Sequence, residues 1–167
     1  MELPSPEKEF EWKSDFDEKG NLVLKKKSKI EEGRKSKISG REFELRVRED
    51  LESKGWIVDK WSNNVDMIGL GRIVSAKKKF NPFSKIMTIG TGFPDFIAMQ
   101  KMGVGRYKVI GVEVKISGDL SREEKLKGKW YLKNEIFAEF LVAKRVKEKN
   151  RIRIEYTDLQ KILEKMR

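Results

Sequence analysis

The chain has 167 residues, 38 basic against 27 acidic side chains, and a formal charge of +11 to which no histidine contributes. Its lack of cysteine excludes disulfides, thiol nucleophiles and zinc–sulfur sites; its lack of histidine removes imidazole as base or ligand. Hydrolytic chemistry would therefore rest on carboxylates, lysine, tyrosine or hydroxyls.

The length suits one domain, a central sheet with helices around it and a small appendage. A positive field of this size favours polyanions, with nucleic acid ahead of membrane phosphates or acidic proteins. The start, MELPSPEKEFEW, has no apolar signal region, and no later run approaches a membrane span. A cytoplasmic protein with no membrane partner is expected.

Residues 1–39 read as a basic N-terminal extension. Phe10–Phe16 and Leu22–Lys26 would pair as a hairpin across the turn-rich Asp17–Asn21. The following KKKSKIEEGRKSKISG has little to bury and is expected to stay exposed or mobile, as a basic arm on DNA or as a solubilising extension. The regular domain, 40–167, opens with GREFELRVREDLESKG, where Phe43, Val47 and Leu51 mark one helical face. Glu44 borders that stripe, and Gly55 suits a left-handed stop. GWIVDKW then predicts the first core strand.

Residues 62–92 predict a long insertion, with short strands at Gly71–Ala76 and Lys85–Ile89. It carries Arg72, Lys77, Lys78, Lys79 and Lys85 without an acidic residue between Gly71 and Thr88. Mixed with Phe80 and Phe83, these cations would hold phosphates while an aromatic contacts bases; a solvated hairpin anchored by its phenylalanines is the equal alternative. Gly90-Thr91-Gly92 lacks the lysine and flanking order of a nucleotide-binding loop, so no nucleotide cofactor is expected. Trp56, Trp61 and Trp130 suit packing better than base stacking, and Trp12 suits either.

PDFIAMQ and YKVIGVEVKI predict two neighbouring strands joined as a hairpin. Ser121 and Glu124 fit a capping box, opening a helix with Leu126, Trp130 and Phe137 facing inward. Strands at Phe140–Ala143 and Ile152–Tyr156 follow, then a closing helix capped by Thr157 and Gln160. The order implies a mixed α/β sheet flanked by helices.

Chemistry concentrates on Asp95, Glu113 and Lys115. Glu113 and Lys115 lie two positions apart on one strand and so share a face, while Val112, Val114 and Ile116 point into the core. Asp95 opens the preceding strand beside them. Two such carboxylates invite Mg²⁺ or Mn²⁺, with the Val114 backbone carbonyl as a third ligand. Lys115 would orient or deprotonate a nucleophilic water and balance charge on the transition state, and Glu44 would serve a metal-linked water or a second ion. The bland alternative is an ordinary Glu-x-Lys pair on an exposed strand face.

Asp95 with Glu113 and Lys115 resembles the signature of the PD-(D/E)xK nuclease superfamily. Glu44, on a helix before a Gly-aromatic strand, is similar to the extra acidic residue of archaeal Holliday junction resolvases. Gly92-Phe93-Pro94-Asp95 with Glu113 and Leu120-Ser121 looks closer to virus-type replication–repair nucleases. The resemblance spans 40–143 and departs from compact resolvases in the insertion at 62–92 and the added hairpin. Where many relatives carry a helical glutamine, this chain has Glu124 and Lys125, with Lys127 and Tyr131 beyond. The resemblance implies a restriction-endonuclease-like αβββαβ core and metal-dependent hydrolysis of DNA, including branched or flap DNA in repair and recombination. Lys125, Lys127, Lys129 and the basic Lys144–Arg153 region would join the insertion in gripping the backbone, and a homodimer would let two sites address two strands. A non-catalytic, nuclease-like DNA-binding module is the alternative.

Overall fold

A computed structural model describes residues 11–17, 20–81, 86–89, 92–149 and 151–165. Phe10, Phe83, Lys85, Gly90, Thr91 and Asn150 lie outside the described residues, as do the side chains of Lys78, Lys79 and Phe80. The chain divides into two compact units, Met1–Glu42 and Phe43–Arg167.

In the first unit, β1 (Trp12–Phe16) and β2 (Leu22–Lys26) pair antiparallel. The Asp17 carboxylate closes their turn by accepting from the Asn21 backbone at 2.8 Å and its side-chain amide at 3.0 Å. Helix α1 spans Lys27–Ser53, beginning well before the start expected near Gly40. The run expected to be exposed or mobile is therefore helical from Lys27 onward, although nearly all its side chains are exposed. Lys, Glu and Arg are good helix formers, and extending an existing helix avoids the cost of a new nucleus.

In the second unit, the α1 stripe Phe43, Val47 and Leu51 is buried. Gly55 adopts φ +82°, and the Gly55 and Trp56 amides donate to the Glu52 and Leu51 carbonyls, ending the helix at the predicted glycine. Strands β3 (Ile57–Lys60), β8 (Phe96–Gly103), β9 (Arg106–Lys115), β10 (Glu139–Glu148) and β11 (Arg151–Asp158) form a five-stranded mixed sheet, ordered β11-β10-β9-β8-β3. β9 and β10 are parallel and the other neighbours antiparallel. The insertion supplies two hairpins: β4 (Asn63–Asp66) with β5 (Arg72–Ser75), and β6 (Lys78–Asn81) with β7 (Ile86–Ile89).

Strand alternation separates two cores. Val58, Phe96, Ala98, Ile110, Val112 and Ala143 pack with the α1 stripe. Phe93, Phe140 and Val142 instead pack with Tyr131 of α2 (Arg122–Lys133) and Leu159 of α3 (Leu159–Glu164). Val114 and Ile116 are half-buried against the first core, as their alternation predicts. The result is a mixed α/β fold with helices flanking a central mixed sheet.

Three local expectations change. The α2 residues that are buried are Gly128 and Tyr131, whereas Leu126 is 48% exposed and Phe137 is buried beyond the end of the helix. Gly128 permits that close approach: a Cβ there would lie 2.4 Å from a Leu159 methyl. Asp158, rather than Thr157, caps α3 by accepting from the Gln160 amide. The β10 and β11 strands both exceed the expected segments, because their antiparallel ladder runs from Leu141–Asp158 to Glu148–Arg151.

Candidate active site

The site forms where β9 outruns β8. Phe96 pairs with Val112, so residues 113–115 continue beyond the last β8 partner while β10 still pairs along their other edge. An open strand edge exposes an amide that needs an acceptor. Asp95 supplies it: Asp95 Oδ2 accepts from the Val114 N–H at 2.9 Å. The Asp95 N–H in turn donates to Glu113 Oε2 at 3.1 Å. Reciprocal backbone–carboxylate bonds thus hold the two acids beside each other. Trp61 N–H donates to the Asp95 carbonyl at 3.2 Å and Phe93 N–H to the Asn63 carbonyl at 2.8 Å, fixing the entry into β8. Gly92 passes too close to this backbone for a side chain, since a Cβ would meet the Trp61 carbonyl oxygen at 2.1 Å.

Glu113 is buried, at 4% exposure. Burial and then the Asp95 charge push its carboxyl up to about 8, against the opposing pull of Lys115. Burial also raises Asp95; the Val114 amide opposes this, Glu44 adds to it, and Lys60 and Lys115 oppose it. The Lys115 ammonium donates to Glu124 Oε1 at 2.6 Å and lies 3.0 Å from Glu113 Oε1. Burial alone would lower the Lys115 pKa, but bonding to Glu124 and the charge of Glu113 together raise it above the usual lysine range. Glu124 is in turn lowered: burial would raise it, but its bonds with Lys115 and Ser121 win.

A cleft of about 470 Å³ joins these groups, with Glu44, Asp95, Glu113, Val114, Lys115 and Lys127 among its lining. Glu123 and Glu124 also line it, giving five carboxylates against two lysines among the described lining residues. Such a balance attracts cations and repels a phosphate unless a cation intervenes. Among the described residues, no three acidic side chains form a ready-made metal-binding group. The donor set on offer is Asp95, Glu113 and the Val114 carbonyl, which leaves an extended residue on the same edge as its N–H and hence toward Asp95. Hard oxygens in an acidic cleft suit Mg²⁺ or Mn²⁺.

Glu44 lines the cleft and bonds to Lys60, whose ammonium lies over the Phe96 ring at 4.6 Å. Lys127 lines it and pairs with Glu123; Lys125 is half-buried and Lys129 exposed on the same helix. Arg72 is exposed on β5 and lies 3.8 Å from Asp66, and Lys77 is exposed beyond that strand. Neither Arg72 nor Lys77 lines the cleft. Sequence reasoning overlooked Lys60 as the Glu44 partner and Glu124 as the Lys115 partner. Glu124 had one usable signal, since a capping box fixes its side chain over the N-terminus of α2.

Trp61 and Trp130 serve packing. Trp61 Nε1 donates to Tyr131 Oη at 3.1 Å, and Tyr131 Oη donates to the Phe93 carbonyl at 2.9 Å. Trp130 Nε1 donates to the Leu70 carbonyl at 2.9 Å, pinning the first insertion hairpin to α2. Gly71 lies under that indole with φ +78°, where a Cβ would meet Trp130 Nε1 at 2.4 Å. No helix among the described residues is long and apolar enough to cross a membrane. Compared with protein-family models, curated proteins and solved structures, the chain matches none.

Proposed function

We propose that this chain is a divalent-metal-dependent endonuclease that hydrolyses DNA phosphodiesters, with a restriction-endonuclease-like core. The observation that carries the reading is the meeting of Asp95, Glu113 and Lys115 in one cleft through direct hydrogen bonds and an ion pair. Supporting it, α1, β3, β8, β9, α2 and β10 keep the αβββαβ order that the resemblance implies once the insertion strands β4–β7 between β3 and β8 are set aside.

Asp95, Glu113 and the Val114 carbonyl would hold Mg²⁺ or Mn²⁺, and Glu44 would serve its water shell or a second ion. The ion, when bound, supplies Lewis acidity toward a phosphoryl oxygen and acidifies water. Lys115, kept protonated by Glu124 and Glu113, is suited to orient the water and stabilise negative charge; its raised pKa argues against proton abstraction. Lys125, Lys127 and Lys129 present cations along α2 for the DNA backbone, with Arg72, Lys77, Lys78, Lys79 and Lys85 contributed by the insertion. Branched or flap DNA, in repair or recombination, is the substrate class the resemblance favours.

One observation favours a second reading, a non-catalytic DNA-binding module: Lys115 is already paired with two carboxylates. The two readings separate on a panel of linear, single-stranded, flap and four-way DNA plus RNA, assayed with Mg²⁺, Mn²⁺ or EDTA. Asp95→Ala, Glu113→Ala and Lys115→Ala should each reduce cutting about 100-fold or more while salt-sensitive binding persists in EDTA. Unchanged cutting in all three variants would end the mechanism. Tight, salt-sensitive binding without cleavage anywhere on the panel would establish the binding module, and cleavage confined to RNA would replace DNA as substrate.

A further inference from the structure

The first unit, Met1–Glu42, contains a groove of about 840 Å³ whose lining, among the described residues, comes from that unit alone. We propose that this groove binds single-stranded nucleic acid, with its cations on the phosphates and Trp12 stacked on an unpaired base. The proposal does not depend on the endonuclease reading.

One wall is a stripe of α1. Lys29, Ile30, Gly33, Arg34 and Lys37 recur at helical spacing, so they share a face. The cations Lys29, Arg34 and Lys37 climb that face in steps of ~7.5 Å and ~4.5 Å, on the scale of successive phosphates in an extended strand. The other wall comes from the hairpin. Trp12 pairs with Lys26 and Ser14 with Leu24, and cross-strand partners share a face, so Trp12, Leu24 and Lys26 stand together. The Lys26 ammonium lies 5.4 Å from the Trp12 ring centre, and Trp12 remains 45% exposed.

Charge selects the occupant. Lys25, Lys26, Lys29, Arg34 and Lys37 line the groove, and no acidic side chain does so among the described residues. An aromatic face beside a row of cations meets both parts of a nucleotide, since any base can stack and any phosphate can pair. A duplex offers the cations its phosphates but keeps its base faces covered, leaving Trp12 without a stacking partner. An acidic peptide likewise satisfies the lysines alone.

Gly33 supports the same assignment. A mid-helix glycine is less favourable than alanine. No close neighbour among the described residues demands it, because a Cβ at Gly33 would meet none of them within 4 Å. Its lack of a side chain leaves the groove open at the centre of the cationic stripe.

The test is fluorescence anisotropy with labelled oligo(dT) and oligo(rU), a mixed-sequence DNA duplex, and poly-glutamate as competitor. The full chain carrying Asp95→Ala is used in EDTA, so the signal is independent of cleavage. Trp12→Ala and Gly33→Leu should each weaken single-strand binding about fivefold or more, with Trp12→Phe retaining most of it. Gly33→Leu removes no charge and improves helix propensity, so its loss would report a filled groove, and it carries the test alone if Trp12→Ala loses helix by circular dichroism. Poly-glutamate should compete weakly and be insensitive to Trp12. Wild-type affinity in both variants would overturn the proposal. So would duplex or poly-glutamate binding as strong as oligo(dT) with the same Trp12 dependence. The oligo(dT) and oligo(rU) arms decide which sugar the groove prefers.

Discussion

The Lys115 ammonium lies 2.6 Å from Glu124 Oε1 and 3.0 Å from Glu113 Oε1, joining the central strand to the first turn of the following helix. Glu124 is itself anchored by accepting from the Ser121 backbone amide at 2.7 Å, so the capping box that starts α2 also aims the lysine. In the proposed reaction Glu124 is a positioning residue, acting on substrate through Lys115.

Glu124→Gln keeps the shape and a hydrogen-bond acceptor but removes the charge. Because Glu124 helps raise the Lys115 pKa, its neutralisation should move the alkaline limb of the kcat profile to lower pH. Bonds to charged groups contribute about 1.5–3 kcal/mol, so kcat should fall roughly 10- to 100-fold with KM little changed. An unaltered pH profile at normal kcat would remove Glu124 from the mechanism.

The carboxylate pair predicts an unusual pH dependence. Glu113 is raised in the folded protein to about 8 from an ordinary 4.5, so the folded state binds its proton more tightly than the unfolded chain. The resulting stability is fully present below about 4.5 and is lost as pH rises through about 8. The chain has no histidine or cysteine, so few other groups titrate across that interval. In EDTA, Tm should decline from pH 5 to pH 9, and Glu113→Gln should flatten the decline. Mg²⁺ or Mn²⁺ should raise Tm more at pH 8 than at pH 5, with proton release seen by calorimetry in buffers of different ionisation enthalpy. A metal-induced rise equal at both pH values, or undiminished in Glu113→Gln, would count against this pair as the ligands.

Tyr131 couples the core to the cleft wall. Its buried hydroxyl accepts from Trp61 Nε1 and donates to the carbonyl of Phe93, two residues before Asp95. Tyr131→Phe strands both partners and should cost about 1–3 kcal/mol in chemical denaturation. Mn²⁺ affinity should weaken as well, because the Phe93–Asp95 entry loses a restraint. A fully stable variant would show that water replaces the hydroxyl there.

Two glycines should respond in opposite directions. At Gly111, on the central strand, a Cβ would lie 2.8 Å from Phe137 and 3.0 Å from Pro94. Gly111→Ala should destabilise by about 1–3 kcal/mol through overpacking. Gly40 is helical, with none of the described residues within 4 Å of an added Cβ. Gly40→Ala should stabilise by about 0.5–1 kcal/mol through backbone entropy and propensity. Denaturant melts of both variants measure the contrast, and a shared sign would refute the packing argument.

Local patterns determined much of this protein without any tertiary information. Period-four apolar residues at Phe43, Val47 and Leu51 specify a buried helical face, and alternation through Val112, Glu113, Val114 and Lys115 assigns the acid and lysine to one side of a strand. Ser121 with Glu124 specifies a helix start because both groups of the capping box lie within one turn. Only the fold decided which distant groups met. The early start of α1 depended on propagation from a packed turn, the inward face of α2 on the space Gly128 leaves for Leu159, and the pairing of Lys115 with Glu124 on how β9 leads into α2. The raised Glu113 pKa likewise arose from burial beside Asp95, a consequence of strand register that residue spacing alone does not encode.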